Sequence, residues 1–165
     1  MKKIGMILLA LAMVFSVLIS MIDSAGAGET VKVKATASNV TTKWHQIEIG
    51  DVEGHIIGVY ENTQLWVDAQ DGQKVIAHSR GIMDLNPQKG QGTLQGYGLY
   101  TYPDGDKRFS SYDGELVGKG QWKGKYTEIG GTGKYEGCTG GGTWESKSLG
   151  PGIGEVVAEG ERTLK

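Results

Sequence analysis

From Thr30 to Ala37 the chain alternates, with Val31, Val33, Ala35 and Ala37 on one side and Lys32 and Lys34 on the other. A period of two describes an extended strand with one face buried and one solvated. The rhythm returns over residues 43–49, where Trp44, Gln46 and Glu48 oppose His45, Ile47 and Ile49. Further strands are predicted at 55–61, 64–69, 74–78 and 80–85, with a break at Asn62-Thr63 and another before Arg80. Gly50-Asp51-Val52-Glu53-Gly54 reads as a turn and residues 86–90 as a loop. Asp71-Gly72 is a strong hairpin signal, because the favoured tight turn needs positive φ at both central positions.

The carboxy-terminal half continues the pattern. Strands are predicted at 93–102 and 107–116, joined by Pro103-Asp104-Gly105-Asp106, a turn in composition. Residues 121–129 lead to the turn Gly130-Gly131-Thr132-Gly133. A strand over 134–138 then runs towards another at 142–147, and Gly150-Pro151-Gly152 turns the chain into a closing strand at 155–164. No helical period persists over three turns, and the 3 prolines all fall in turns or loops. Eight to ten short strands at this spacing predict an all-β fold. Closure of the sheet removes exposed edges, so the prediction is a single antiparallel barrel, closed or nearly closed.

Glycine punctuates this half in an unusual way. Gly96-x-Gly98-x-Tyr100, Gly118-x-Gly120-x-Trp122 and Gly140-x-Gly142-x-Trp144 recur at intervals of 22 residues. In a strand, such runs put two glycines and a ring on one face. The interval suggests two strands and two turns, after which the chain points the same way again. Glycine within a strand costs backbone entropy and packs nothing. The predicted compensation is a tightly coiled sheet whose rings, among them Tyr100, Trp122 and Trp144, cover bare backbone on neighbouring strands. A phosphate-cradling glycine loop needs a helix after it, and none follows.

Gly130-Gly131-Thr132-Gly133-Lys134-Tyr135-Glu136-Gly137, followed by Thr139-Gly140-Gly141-Gly142-Thr143, resembles a turn-plus-strand segment of the allene oxide cyclase and dirigent barrel superfamily. The segments Gly50–His55 and Gly120-Gln121-Trp122 are similar to small exported bacterial proteins with that barrel. The resemblance implies a barrel with an apolar pocket and a few polar groups, and a cofactor-free cyclase or isomerase as one possible activity. Gly96-Tyr97-Gly98-Leu99-Tyr100-Thr101-Tyr102-Pro103-Asp104-Gly105 is similar to the membrane occupation and recognition nexus repeat, which implies an open array instead.

The amino terminus changes the picture of where the protein acts. Lys2 and Lys3 precede an apolar run over 4–22 and then Ser24-Ala25-Gly26-Ala27. Basic start, apolar stretch and small A-x-A residues predict a secretory signal peptide over 1–27, leaving 28–165 as one domain in the periplasm or outside the cell. An uncleaved anchor is the competing reading of the same run. No cysteine near the cleavage point offers a lipid attachment site. The full chain carries 17 basic and 19 acidic side chains. Loss of Lys2, Lys3 and Asp23 leaves a small negative balance, which gives no pull towards nucleic acid or an anionic membrane.

Candidate chemistry is sparse. His45, His55 and His78 lack the local spacing of a metal pair, and Asp104, Asp106 and Asp113 lack the alternation of a calcium loop. No Gly-x-Ser-x-Gly elbow occurs, and the single cysteine, Cys138, lacks an adjacent base. Glu48, Glu53, Glu61 and Asp68 are the candidates for a carboxylate pair at a barrel mouth. The sequence therefore predicts no catalytic set, metal or cofactor. It predicts an exported barrel that binds a small apolar or aromatic compound, or serves as an interaction module of the cell envelope, with self-association open. The predicted ligand-contacting residues are Trp44, His55, Tyr60, Trp66, Arg80 and Tyr100.

Overall fold

The computed structural model describes residues 28–165; the predicted signal peptide over 1–27 lies outside them. Eight strands follow in order: β1 (Thr30–Glu48), β2 (Ile56–Asp68), β3 (Lys74–Asn86), β4 (Gln91–Thr101), β5 (Lys107–Gly118), β6 (Gln121–Gly131), β7 (Thr139–Gly150) and β8 (Ile153–Thr163). Each pairs antiparallel with the next, and β8 returns to β1, so the sheet is a closed barrel. The open repeat array is thereby excluded.

Closure depends on β1, the longest strand. It pairs with β8 from Thr30 to Val40 and with β2 from Ala35 to Glu48. A register shift between Thr41 and Lys43 changes the parity of the inward face. Before it Val33, Ala35 and Ala37 face inward; after it Trp44 does. This bulge is why two separate strands were expected where the chain makes one.

The expected breaks at Asn62-Thr63 and Ser79 are also absent: β2 and β3 run through them. Asn62, Gln64 and Ser79 interrupt the apolar pattern because they face a polar zone inside the barrel. Gln64 Nε2 donates to Asn39 Oδ1 at 3.1 Å, and Gln64 Oε1 accepts from Trp66 Nε1 and Ser79 Oγ, each at 3.0 Å. Asn39 thus points inward.

Residues 134–138 are not a strand. A short 3-10 turn (Gly133–Tyr135) packs into the barrel end carrying the β4–β5 and β6–β7 connections. There Tyr135 stacks on Tyr102 with ring centroids 4.3 Å apart, and Cys138 is buried beside them. The opposite end remains open.

The 22-residue repeat is not a structural repeat. Gly96 and Gly98 lie within β4, Gly118 and Gly120 flank the β5–β6 turn, and Gly140 and Gly142 lie in β7, which runs antiparallel to β4 and β6. What recurs is a small-against-large alternation across the strands. One inward row reads Tyr60, Gly81, Gly96 and Tyr112 on β2 to β5, and another reads Gly114, Gly124 and Trp144 on β5 to β7. A side chain on Gly81 would strike the Tyr60 ring, and one on Gly96 the Tyr112 ring. Bare backbone makes room for rings that span more than one strand.

Candidate functional site

The rings do not fill the barrel. A cavity of about 270 Å³ runs from Arg108 and Arg162 at the closed end to Gly120 and Gly152 at the mouth. Its wall includes Trp44, Trp66, Trp122 and Trp144, which are all 4 tryptophans of the chain. Tyr60, Tyr100, Tyr112 and Tyr126 complete the aromatic lining.

Of the six predicted ligand contacts, Trp44, Tyr60, Trp66 and Tyr100 come together on this wall. The structure places the other two elsewhere. Arg80 alternates to the outer face of β3, its Nε 3.4 Å from Glu61 Oε1, beside an external hollow whose edge also includes Lys43, Ile82 and Tyr97. Lys43 Nζ lies 3.2 Å from the same Glu61 oxygen, and Lys43 first and Arg80 second hold this carboxyl below its usual range. His55 lies in the β1–β2 connection, its Nδ1 2.6 Å from Asp51 Oδ1 and its Nε2 2.9 Å from Asp84 Oδ1. A histidine between two carboxylates braces a loop rather than lining the chamber.

The polar groups that face inward are mostly ones the sequence reading passed over. Tyr60 and Tyr112 reach across the glycines of β3 and β4 until their hydroxyl oxygens stand 2.9 Å apart. Burial raises the proton affinity of both; the shared hydrogen bond lowers that of Tyr60 slightly, while Tyr60 raises that of Tyr112 further. Tyr126 is pushed up to about 12, by burial first and by the Glu128 charge second. These phenols therefore stay protonated at neutral pH, and each has an O–H to offer.

Beneath them lies an ionic cluster. Glu128, with a side chain 0% exposed, accepts from Arg108 Nη1 at 2.5 and 2.6 Å and from Arg162 Nε and Nη2 at 3.2 Å each. Arg108 Nε also donates to the Tyr102 hydroxyl at 3.0 Å, and the guanidinium lies 3.7 Å over the centre of the Tyr100 ring. Burial is the largest single influence on Arg108 and opposes its charge, but Glu128, Tyr100 and Tyr102 together outweigh it, so the group holds its proton more tightly than usual. A signal for this cluster was present in the strand period. Trp122, Gly124, Tyr126 and Glu128 occupy alternate positions of β6, so a carboxylate shares a face with glycine and rings.

The carboxylate candidates Glu48, Glu53, Glu61 and Asp68 form no such cluster. Asp104 and Asp106 secure a turn instead: Asp104 Oδ2 lies 2.7 Å from Lys134 Nζ, and Asp106 Oδ2 accepts from the Lys134 backbone N–H at 3.1 Å. Among the described residues, no three His, Cys, Asp or Glu side chains gather as metal ligands. Burial pushes the Cys138 thiol up, with the Glu128 charge adding to it.

No protein-family model matches the chain, and no curated protein matches it. Solved structures do. A pterocarpan synthase dirigent protein superposes with TM-score 0.51 at 12% identity, over 83% of this chain and 89% of its own. AbnU, an exo-specific intermolecular Diels-Alderase, gives TM-score 0.53 at 14% identity over 81% of this chain and 99% of its own. At such identity the likeness concerns architecture, and the architecture is that of the dirigent and allene oxide cyclase-like barrels.

Proposed function

We propose that this protein is an exported barrel that binds a small aromatic or apolar compound in its interior chamber without transforming it. The observation that carries the reading is the gathering of all 4 tryptophans around one cavity of about 270 Å³. That volume lies just under the roughly 300 Å³ at which pockets for drug-sized ligands begin, so a one- or two-ring compound fits best. An eight-stranded barrel is wide enough either to fill with side chains or to hold one small ligand. The solved structures named above include proteins whose names denote chemistry on organic compounds, which agrees with a small-molecule chamber and goes no further.

The polar groups favour holding over turnover. A proton-abstracting cyclase or isomerase needs a base facing its substrate. Glu128 is engaged by two guanidiniums, and Tyr60, Tyr112 and Tyr126 keep their protons. Export rests on the basic start, apolar run and small residues of 1–27.

Native mass spectrometry of the protein purified from its own host tests both parts. The expected result is a chain beginning at Gly28 that carries a small molecule released on denaturation. A mature chain without added mass, whose tryptophan emission also ignores one- and two-ring aromatic compounds, would overturn the binding reading. A chain retaining residues 1–27 would overturn export in cleaved form.

A further inference from the structure

The chamber is aromatic along its wall but charged at its floor, and the charges there do not balance. Arg108 and Arg162 both line the cavity, while the single carboxylate between them, Glu128, is buried behind. Among the described residues Glu128 is the only buried carboxylate. Arginine keeps its charge in folded proteins, so one positive charge is left over among buried side chains. Lys147 and Glu155 also touch the cavity, but they belong to the mouth and oppose one another in sign.

Hydrogen bonding at the floor is unfinished in the same direction. Arg108 donates through Nε and Nη1, and Arg162 through Nε and Nη2. Arg108 Nη2 and Arg162 Nη1 have no acceptor among the described residues. The Tyr126 hydroxyl, buried on the same wall, has no partner there either. Tyr100 covers one face of the Arg108 guanidinium, which leaves its edge as the part able to receive a planar anion. A brace meant only to close the barrel end would be better served by matched charges, because an uncompensated buried charge is costly.

We infer that the chamber floor is an anion subsite, and that the ligand is an aromatic acid whose carboxylate docks against Arg108 and Arg162 beside the Tyr126 hydroxyl. The inference rests on the chamber being a binding site and adds which end of the ligand enters first. The carboxylate goes to the floor, where charge-assisted hydrogen bonds are strongest, and the rings stay against the tryptophans. Arginine supplies the planar, forked donor geometry that carboxylates match.

Titration of tryptophan emission with 2-naphthoate and with its methyl ester tests this on the mature protein. The two probes share a ring system and differ in the charge offered to the floor. The naphthoate is expected to bind at least about tenfold tighter, the scale of a charge-assisted hydrogen bond. In Glu128→Gln the preference should widen, since a competing carboxylate is gone, and in Arg162→Gln it should shrink towards parity. The wild-type pair alone decides the matter if a variant does not fold. Equal binding of acid and ester, or a preference for the ester, would overturn the anion subsite while leaving the chamber as a binding site. Binding of neither probe would remove both.

Discussion

A methyl group at Gly114 would overlap the indole of Trp144, which reaches from β7 across Gly124 to lie over β5. Trp144 cannot easily yield, because its Nε1 is 3.1 Å from the carbonyl oxygens of both Asp113 and Lys125. Its edge also meets the Tyr112 ring at 85°. Gly114→Ala is therefore expected to destabilise the fold by about 1–3 kcal/mol, the usual range for overpacking. Adding Trp144→Ala should recover part of that loss, so urea denaturation of the two single variants and the double variant should give non-additive costs. Strict additivity would mean that ring and glycine do not constrain one another. This pairing of glycine with a ring was legible in the alternation of small and aromatic residues. The partner was not, since Trp144 covers a glycine two strands away and only the barrel register reveals that span.

At the scale of elements, turns were the most legible features, because Gly72, Gly105 and Gly152 sit at positive φ where the sequence placed turns. Strand interiors were harder. Inward polar residues such as Asn62 and Ser79 imitate loop composition, and nothing local tells a polar interior from a chain break. The β1–β2 connection shows how such an element is held. Ile49 N–H donates to the His55 carbonyl at 3.0 Å, and the His55 ring ties Asp51 of the loop to Asp84 of β3. Asp84 first and Asp51 second raise the proton affinity of His55 above the ordinary histidine value. A raised folded-state pKa means the brace is complete below about 6.5, the unfolded value, and fades as pH climbs through the raised one. The His55 ring resonance should titrate with a midpoint above the ordinary value, and Asp84→Asn should move it down. A midpoint indifferent to Asp84→Asn would show that the ring does not bridge the two elements.

For the whole molecule, closure turns local ladders into one circuit. Each strand has two hydrogen-bonded neighbours, and β1 closes the sheet by pairing with β8 and β2 at once. Opening any seam exposes the aromatic wall, because tryptophans from β1, β2, β6 and β7 share one cavity. The sequence could suggest closure from strand number and edge avoidance, but the chamber itself depends on which faces meet and could not be counted from periodicity. The physical consequence is cooperativity. In urea, tryptophan emission and far-UV circular dichroism should lose their native signals together, in one transition with one midpoint. Ala158→Pro should lower that midpoint sharply, because it places a residue without an N–H on an inward position of β8, opposite Ala35 and Trp144. An emission change that precedes the loss of strand signal would mean the wall loosens while the ladders persist, and the circuit would then not be what holds the chamber in shape.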